Sequence, residues 1–293
     1  MIHRSTSRKI FEIVNYLLFI LFCISIIFPF INAIAISLSS YDALEQGKVG
    51  LWPKQFTLES YKNLALSKQF LRTLLNTVFL TVVNTALVIV LSLAAGYAMS
   101  HKHLLGRGYL FIYLIIPMYF SGGLIPTYLL INGLGMNNTY WALILPAVVN
   151  IFYIIVFRNQ INQLPRELME SAEIDGAGEA RILFHIIVPL VLPMAMAFVV
   201  FSAVSYWNEW FGVLIYIRDR SMWTLQFQVR DILINSALVD STTQKALAGQ
   251  EPKVHPENLK MAALLLTILP IIAVYPFVQK YFIHGQLVGA VKG

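Results

Sequence analysis

Charge is what this sequence has least of. Asp, Glu, Lys and Arg make up 12% of its 293 residues, about half the share found in soluble domains, against 58% apolar residues and a mean hydropathy of +0.69. That balance excludes an ordinary soluble domain and indicates an integral membrane protein. Cysteine is nearly missing as well. Cys23 stands alone, which excludes an internal disulfide and any thiolate cluster, and it reads as a small packed or lipid-facing side chain. No run of Lys and Arg interleaved with aromatics exists, so the scattered net charge of +6 does not indicate nucleic acid. No glycine-rich loop followed by Lys-Ser or Lys-Thr exists either. Gly106-Arg107-Gly108 is too short and lacks the lysine, which excludes the usual way of binding ATP. Asp and Glu are almost absent from the apolar runs, apart from Glu12 and Glu209 near their ends, and no carboxylate pair is spaced for acid–base chemistry.

What the chain does have is six long apolar runs, each near or above the roughly 20 residues that cross a bilayer. The first, from Ile10 to about Leu38, follows Arg4, Arg8 and Lys9. Ala33-Ile34-Ala35 resembles a cleavage site, but a signal peptide has a shorter core, and the length favours an uncleaved span. Residues 39–70 are polar and read as an external segment with a short amphipathic helix. The second run covers about Leu71–Ser100, where Asn76, Asn84 and several threonines are expected to face other helices, since lipid offers no partner. The loop after it carries His101 and His103. With no acidic or cysteine companion nearby, they read as a solvated basic loop rather than a metal site. The third run, Tyr109–Ile131, is interrupted by Pro117, Gly122-Gly123 and Pro126, which mark either the border of a cavity or close packing at the glycines. The fourth, about Tyr140–Phe157, carries Pro146 and Asn150.

The fifth run extends from about Ile186 to Ile217 and holds Tyr206-Trp207-Asn208-Glu209-Trp210 near its outer end. An ionisable residue at membrane depth suggests a substrate path, to which Asn150 also belongs. Tryptophan and tyrosine equally anchor helices at the interface, so both readings stand. The aromatic faces and hydrogen-bonding neighbours suit a sugar ring. Residues 218–258 form a long polar external segment with Arg218, Arg220 and Arg230, and the sixth run covers about Leu259–Phe282. A tail, 284–293, follows.

The densest charge lies before the fifth run. Glu170, Glu173, Asp175 and Glu179 fall within ten residues, bracketed by Arg166 and Arg181. Pro165 suits the first turn of a short helix, and Gly176 supplies the backbone freedom to end it after Asp175. The pattern predicts a short helix, a sharp bend and a second helix leading into the fifth run, a charged element suited to docking outside the lipid.

Glu170-x-Ala172-x-x-Asp175-Gly176-Ala177, with Pro189 and Pro193 beyond it, resembles the "EAA" loop of binding-protein-dependent ABC importer permeases. Ser171 stands for the usual first alanine, and Leu183 for a common phenylalanine. Trp52-Pro53, Phe56-Thr57-Leu58, Tyr61, Trp207-Asn208-Glu209 and the terminal Gly285 to Gly293 extend the likeness over nearly the whole chain. More narrowly, the chain is similar to the smaller permease subunit of maltose-type carbohydrate importers, in the complex-oligosaccharide branch that includes alginate systems.

The resemblance implies an all-α integral membrane protein, one permease domain over 1–293, with six transmembrane helices and a cytoplasmic coupling loop, about 165–185, between spans 4 and 5. It implies a bacterial inner membrane location with both termini cytoplasmic. The positive-inside count supports that orientation weakly, with ten of the 21 Lys and Arg on that face. It further implies alternating access within a complex of a second, homologous permease, two ATPase subunits and an extracytoplasmic solute-binding protein. ATP and Mg would be used by the ATPases, with no cofactor and no metal on this chain. Glu170 would contact the ATPase, Asp175 and Gly176 would form the bend, and Ala172 and Ala177 would allow close approach. Gly289, Val291, Lys292 and Gly293 would reach the ATPase through the tail. The cargo expected is an oligosaccharide, an anionic one such as alginate being compatible with the external arginines. A peptide or amino-acid importer would share the coupling loop, and a membrane-embedded glycan enzyme is the reading from a different class.

Overall fold

In the computed structural model, residues 6–238 and 254–290 are described, and among them every regular element is helical. They form α1 (Thr6–Ser37), α2 (Tyr41–Glu45), α3 (Glu59–Leu66), α4 (Lys68–Ser100), α5 (Arg107–Tyr119), α6 (Leu124–Gly133) and α7 (Trp141–Ile144), the last continued by a 3₁₀ turn, Leu145–Ala147. Then come α8 (Ile151–Ile161), α9 (Glu167–Ile174), α10 (Glu179–Ile182), α11 (Val188–Trp207), α12 (Phe211–Tyr216), α13 (Leu225–Leu238) and α14 (Pro256–Ala290).

Four stretches are long and apolar enough to cross a membrane: Arg8–Ser37, Lys68–Ser100, Glu179–Trp207 and Pro256–Val274. Two bent pairs, α5 with α6 and α7 with α8, raise the number to six if each pair is one span. Helices dominate because a bilayer offers backbone N–H and C=O groups no partner, and a helix satisfies them within itself.

The chain divides into two compact units, Met1–Lys68 with Val229–Leu269, and Gln69–Gln228 with Pro270–Gly293. In the first, α1 shows lipid-sized apolar side chains on all sides from Ile10 to Ile34. The external segment expected at 39–70 contains two short helices, not one. Ser40 caps α2 by accepting from Ala43 N, and Ser37 shares a 2.8 Å hydrogen bond with the Tyr61 hydroxyl. Buried Asn258, at the start of α14, donates to the carbonyls of Ile36 and Ser39.

In the second unit the third run departs furthest from one interrupted span. α5 and α6 meet at 114°, with Phe120 to Gly123 between them and Gly123 at φ +84°. A side chain at Gly123 would meet nothing within 4 Å, and one at Gly122 only Pro126 at 3.9 Å. Nothing within this chain packs closely on either glycine; a left-handed backbone accounts for Gly123. The fifth run ends at Trp207, ten residues before Ile217, because Asn208 to Trp210 leave the helical path before α12. The segment read as a tail from 284 continues α14 as helix to Ala290, and Val291, Lys292 and Gly293 lie outside the described residues.

Candidate functional site

α9 is the expected short helix. It starts at Glu167, two residues past Pro165, so the proline precedes the first turn instead of occupying it. It ends as the sequence indicates. Asp175 is the C-cap and Gly176 takes φ +79°. Gly176 N donates to Glu173 O at 3.0 Å and Ala177 N to Ala172 O at 2.9 Å. These two bonds make a Schellman motif, which satisfies carbonyls that the helix end would leave free. Ala172 and Ala177 are half-buried, turned to the interior, while Glu170, Glu173, Ile174 and Asp175 are exposed. Ile174 is 86% exposed, an apolar side chain in the open beside three carboxylates.

The seat of this loop is a packed core of Val88, Leu93, Tyr97, Tyr153, Phe157, Ile161, Ile182, Leu183, Ile187, Val191, Ala195 and Phe198, against which Leu164, Met169, Ala172 and Ala177 rest. Its centre is an aromatic stack, Tyr153 on Phe198 at 4.1 Å, with Phe157 edge-on at 5.2 Å. Gly96 brings α4 and α8 together. A Cβ there would lie 2.8 Å from Phe157 Cβ and 3.1 Å from both Arg158 N and Ile154 O. α10 passes into α11 through a π-helical turn, Leu183–Ile187, just before Pro189, whose missing N–H already interrupts the ladder.

Polar contacts fix the same region. Tyr97 OH donates to Glu179 Oε2 at 2.6 Å, His101 Nε2 lies 3.4 Å from that oxygen, and His101 Nδ1 is 3.0 Å from Tyr97 O. His101 is thus half-buried and engaged, which corrects the reading of both histidines as solvated; His103 is exposed. Arg158 donates to Met99 O at 3.2 Å and stands over the Phe111 ring at 4.5 Å. A cleft of about 190 Å³ separates the 100–103 loop from α9, bordered by His101, His103, Arg166, Glu170 and Glu173. Sequence reasoning missed Tyr97, Gly96 and Arg158; only the pairing of a lone glycine with aromatics in apolar runs hinted at them.

Of the Tyr206 to Trp210 cluster, Tyr206 reaches the α7–α8 break that Asn150 caps, and most of the cluster's polar contacts are to backbone. Tyr206 OH donates to Ala147 O at 2.9 Å, a carbonyl freed where α7 breaks from α8. Asn150 caps α8 by accepting from Tyr153 N at 3.1 Å. Asn208 Nδ2 donates to Val204 O at 2.7 Å and its Oδ1 accepts from Gln226 Nε2 at 3.0 Å. Glu209 Oε1 accepts from Gly212 N at 2.6 Å, at the start of α12. Trp207 is buried and borders an apolar cavity of about 530 Å³ between α4, α11 and the 270–274 stretch. Trp210 packs edge-on against Phe211 at 5.5 Å.

At the end of this unit away from α9, Asn138 adopts φ +58° and its Oδ1 accepts from Arg218 N and Asp219 N at 3.0 and 2.9 Å. Asn76 donates to Ser221 O and Trp223 O at 2.8 and 3.0 Å, and its Oδ1 accepts from Tyr140 OH at 2.9 Å, so it faces both the 218–223 loop and the start of α7, as expected of a polar side chain on a membrane helix. The hydrogen bond from Ser221 N holds the Asp219 carboxyl below its ordinary range, with Arg72 adding to it.

Residues 1–286 match the family described as binding-protein-dependent transport system inner membrane component. The chain belongs to this family. Among its relatives, Protein LplC of Bacillus subtilis (strain 168) is 39% identical over 99% of this chain and 98% of that protein. The polygalacturonan/rhamnogalacturonan transport system permease protein YtcP of the same organism is 35% identical over 98% of this chain and 100% of that one. A chain in the crystal structure of a bacterial ABC transporter involved in the import of the acidic polysaccharide alginate superposes with a TM-score of 0.88 at 29% identity, over 96% of this chain and 100% of that one. The family resemblance read from the 170–177 motif therefore holds over the full chain. As a family member the chain is a membrane permease component with an all-helical fold.

Proposed function

We propose that the chain is the permease subunit of an ATP-driven, binding-protein-dependent importer of oligosaccharides, with uronate-containing chains as its substrate class. What carries the transport reading is α9: an exposed acidic helix, closed by a Schellman turn and seated on the core shared by α4, α8 and α11. What supports the acidic class is that two full-length relatives are named for polygalacturonan/rhamnogalacturonan and alginate import. The external Arg218 and Arg220, both exposed, are compatible with such a cargo.

In this reading α9 and both termini face the cytoplasm of a bacterium. Glu170 makes the charged contact with an ATPase subunit, Asp175 and Gly176 hold the bend, and Ala172 and Ala177 keep the helix close to its seat. Gly289, Val291, Lys292 and Gly293 reach toward the ATPases. Two ATPase subunits use ATP and Mg, a second permease completes the pathway, and a solute-binding protein delivers cargo outside. Tyr206, Trp207, Asn208, Glu209, Trp210 and Asn150 support the pathway's walls by holding the broken helices in shape.

The test is ATPase activity of the reconstituted complex with its binding protein, across neutral and anionic oligosaccharides, for wild type and Glu170→Ala. Stimulation by oligouronates, lost in the variant, is the expected result. Stimulation by a peptide and by no sugar would overturn the substrate class, and an unaffected Glu170→Ala would overturn the coupling role.

A further inference from the structure

The polar side chains of α4 are not all accounted for. Thr73 and Thr77 bond to carbonyls of their own helix, Phe70 O at 2.8 Å and Thr73 O at 2.9 Å. Thr81 and Thr85 do not. Among the described residues, the buried side-chain polar atoms without a hydrogen-bond partner on the protein include Thr81 Oγ1, Asn84 Oδ1 and Thr85 Oγ1. These residues are 9%, 3% and 8% exposed. Asn84 is the middle residue of the Lys68–Ser100 helix, so the group lies at the depth where a missing partner costs most.

The surroundings favour a small neutral occupant. Asn84 Nδ2 reaches Leu143 O at a long 3.3 Å, so α7 faces this turn of α4, while the break at Asn150 lies about two turns further along, where Ser92 Oγ donates to Asn150 O at 3.5 Å. Thr81 also borders the apolar cavity beside α11. Positions 81, 84 and 85 share one helix face, with neighbouring side chains about 5–6 Å apart. One water with two hydrogen bonds of roughly 2.8 Å at a near-tetrahedral angle joins oxygens about 4.5 Å apart, within reach of polar groups carried on Cβ atoms at that spacing. No carboxylate is part of the group, so a cation would have no counter-charge, whereas a buried water typically makes about three hydrogen bonds to such groups.

We propose that Thr81, Asn84 and Thr85 form a binding site for water beside α7. The water accepts from the threonine hydroxyls or donates to them, donates to Asn84 Oδ1, and thereby hydrates a seam between two packed regions. On one side lies the core that seats α9; on the other lie Leu80, Leu143, Ile144, Val213 and Ile217. A hydrated seam is a plane along which two dry cores can shift with only the long Asn84–Leu143 hydrogen bond to break, while the water re-forms its own. The site rests on the geometry of this membrane helix and not on the nature of the cargo.

The test is X-ray hydroxyl-radical labelling of the reconstituted complex, read by mass spectrometry, because radicals formed from bound water oxidise buried neighbours. Leu143 and Ile144 are the reporters and Phe157, fully buried in the dry core, is the baseline. Labelling of the reporters at least threefold above Phe157 is expected, falling to baseline in Thr81→Val/Thr85→Val and retained in Thr81→Ser/Thr85→Ser. Reporter labelling no higher than Phe157, or unchanged by the valine pair, would overturn the proposal. Thermal unfolding of the valine pair is an independent readout. Removing two dry, unpaired hydroxyls would raise the melting temperature and so also overturn it; displacing a bound water and stranding Asn84 lowers it.

Discussion

Gly96→Ala is the substitution whose effect the packing of the inner core determines most directly. The added methyl would sit 2.8 Å from Phe157 Cβ and 3.1 Å from Arg158 N and Ile154 O. Carbon atoms are comfortable at about 3.5–4.0 Å, so α4 and α8 must part by several tenths of an ångström. Two of the three obstacles are backbone and the third is the root of a side chain with no exposure, so no rotamer change relieves the clash. Overpacking of this kind costs about 1–3 kcal/mol, or roughly 5- to 150-fold in the folded population. The assay is thermal unfolding of the complex in lipid nanodiscs, with Gly133→Ala as control. Gly133 ends α6 and has nothing within 4 Å of its would-be Cβ, so its alanine variant should match or slightly exceed wild type. Gly96→Ala is expected to lower the melting temperature clearly while Gly133→Ala does not. Equal stability of the two would mean that α4 and α8 are not in contact at Gly96, and the argument for a rigid seat beneath α9 would fail with it.

Two further outcomes follow from the same region. Gly176→Ala meets no side chain but holds φ +79°, so it costs about 1–2 kcal/mol of local strain; it should leave assembly intact, reduce cargo-stimulated ATPase activity, and be partly rescued by Gly176→Asn, which tolerates that backbone. Tyr97→Phe and Glu179→Ala should be non-additive by about 1 kcal/mol in unfolding measurements, below the usual range for a hydrogen bond to a charged group because the Glu179 side chain is 65% exposed; strict additivity would show that the 2.6 Å contact contributes nothing.

The parts legible in the sequence are those set by local rules. Long apolar runs are helices because lipid leaves no alternative, and Gly176 after an acidic helix ends it because only a left-handed residue closes the Schellman bonds. Pro117 and Gly122-Gly123 announced a break in the third run, but the 114° turn depends on which face of α6 finds partners, which periodicity does not encode. Glu209 is instructive. The sequence shows a carboxylate among tryptophans but not that one of its oxygens accepts from Gly212 N, or that Tyr206 and Asn150 serve a broken helix in the same way. Their partners lie up to 59 residues away in the chain, so the sequence shows the hydrogen-bonding capacity without showing what consumes it. Gly96 was silent for the same reason: a close approach is a property of two helices, and only one of them carries the glycine.

These contacts determine where a force applied to α9 would go. The helix rests on Leu164, Met169, Ala172 and Ala177 against Ile182, Leu183 and Ile187. Those residues belong to one continuous helical stretch, Glu179–Trp207, of 29 residues. At 1.5 Å per residue it reaches about 44 Å, longer than the hydrocarbon core of about 30 Å. A displacement of α9 is therefore carried to Trp207 without crossing a loop. The π turn at 183–187 and Pro189 are the weak points of this lever, where the hydrogen-bond ladder is interrupted. There buried Leu183 and Ile187 take over, because side-chain packing resists bending where the backbone no longer does. The lever stops at Asn208, whose side chain turns back to Val204 O and closes the helix. Beyond it α12 belongs to the outer cluster with Leu80 and Leu143, across the seam at Asn84. Where α7 meets α8 and α11 meets α12, movement of one core relative to the other can be taken up at the breaks, 148–150 and 208–210, whereas α4 runs unbroken from Leu80 in the one to Val88 in the other and has to flex.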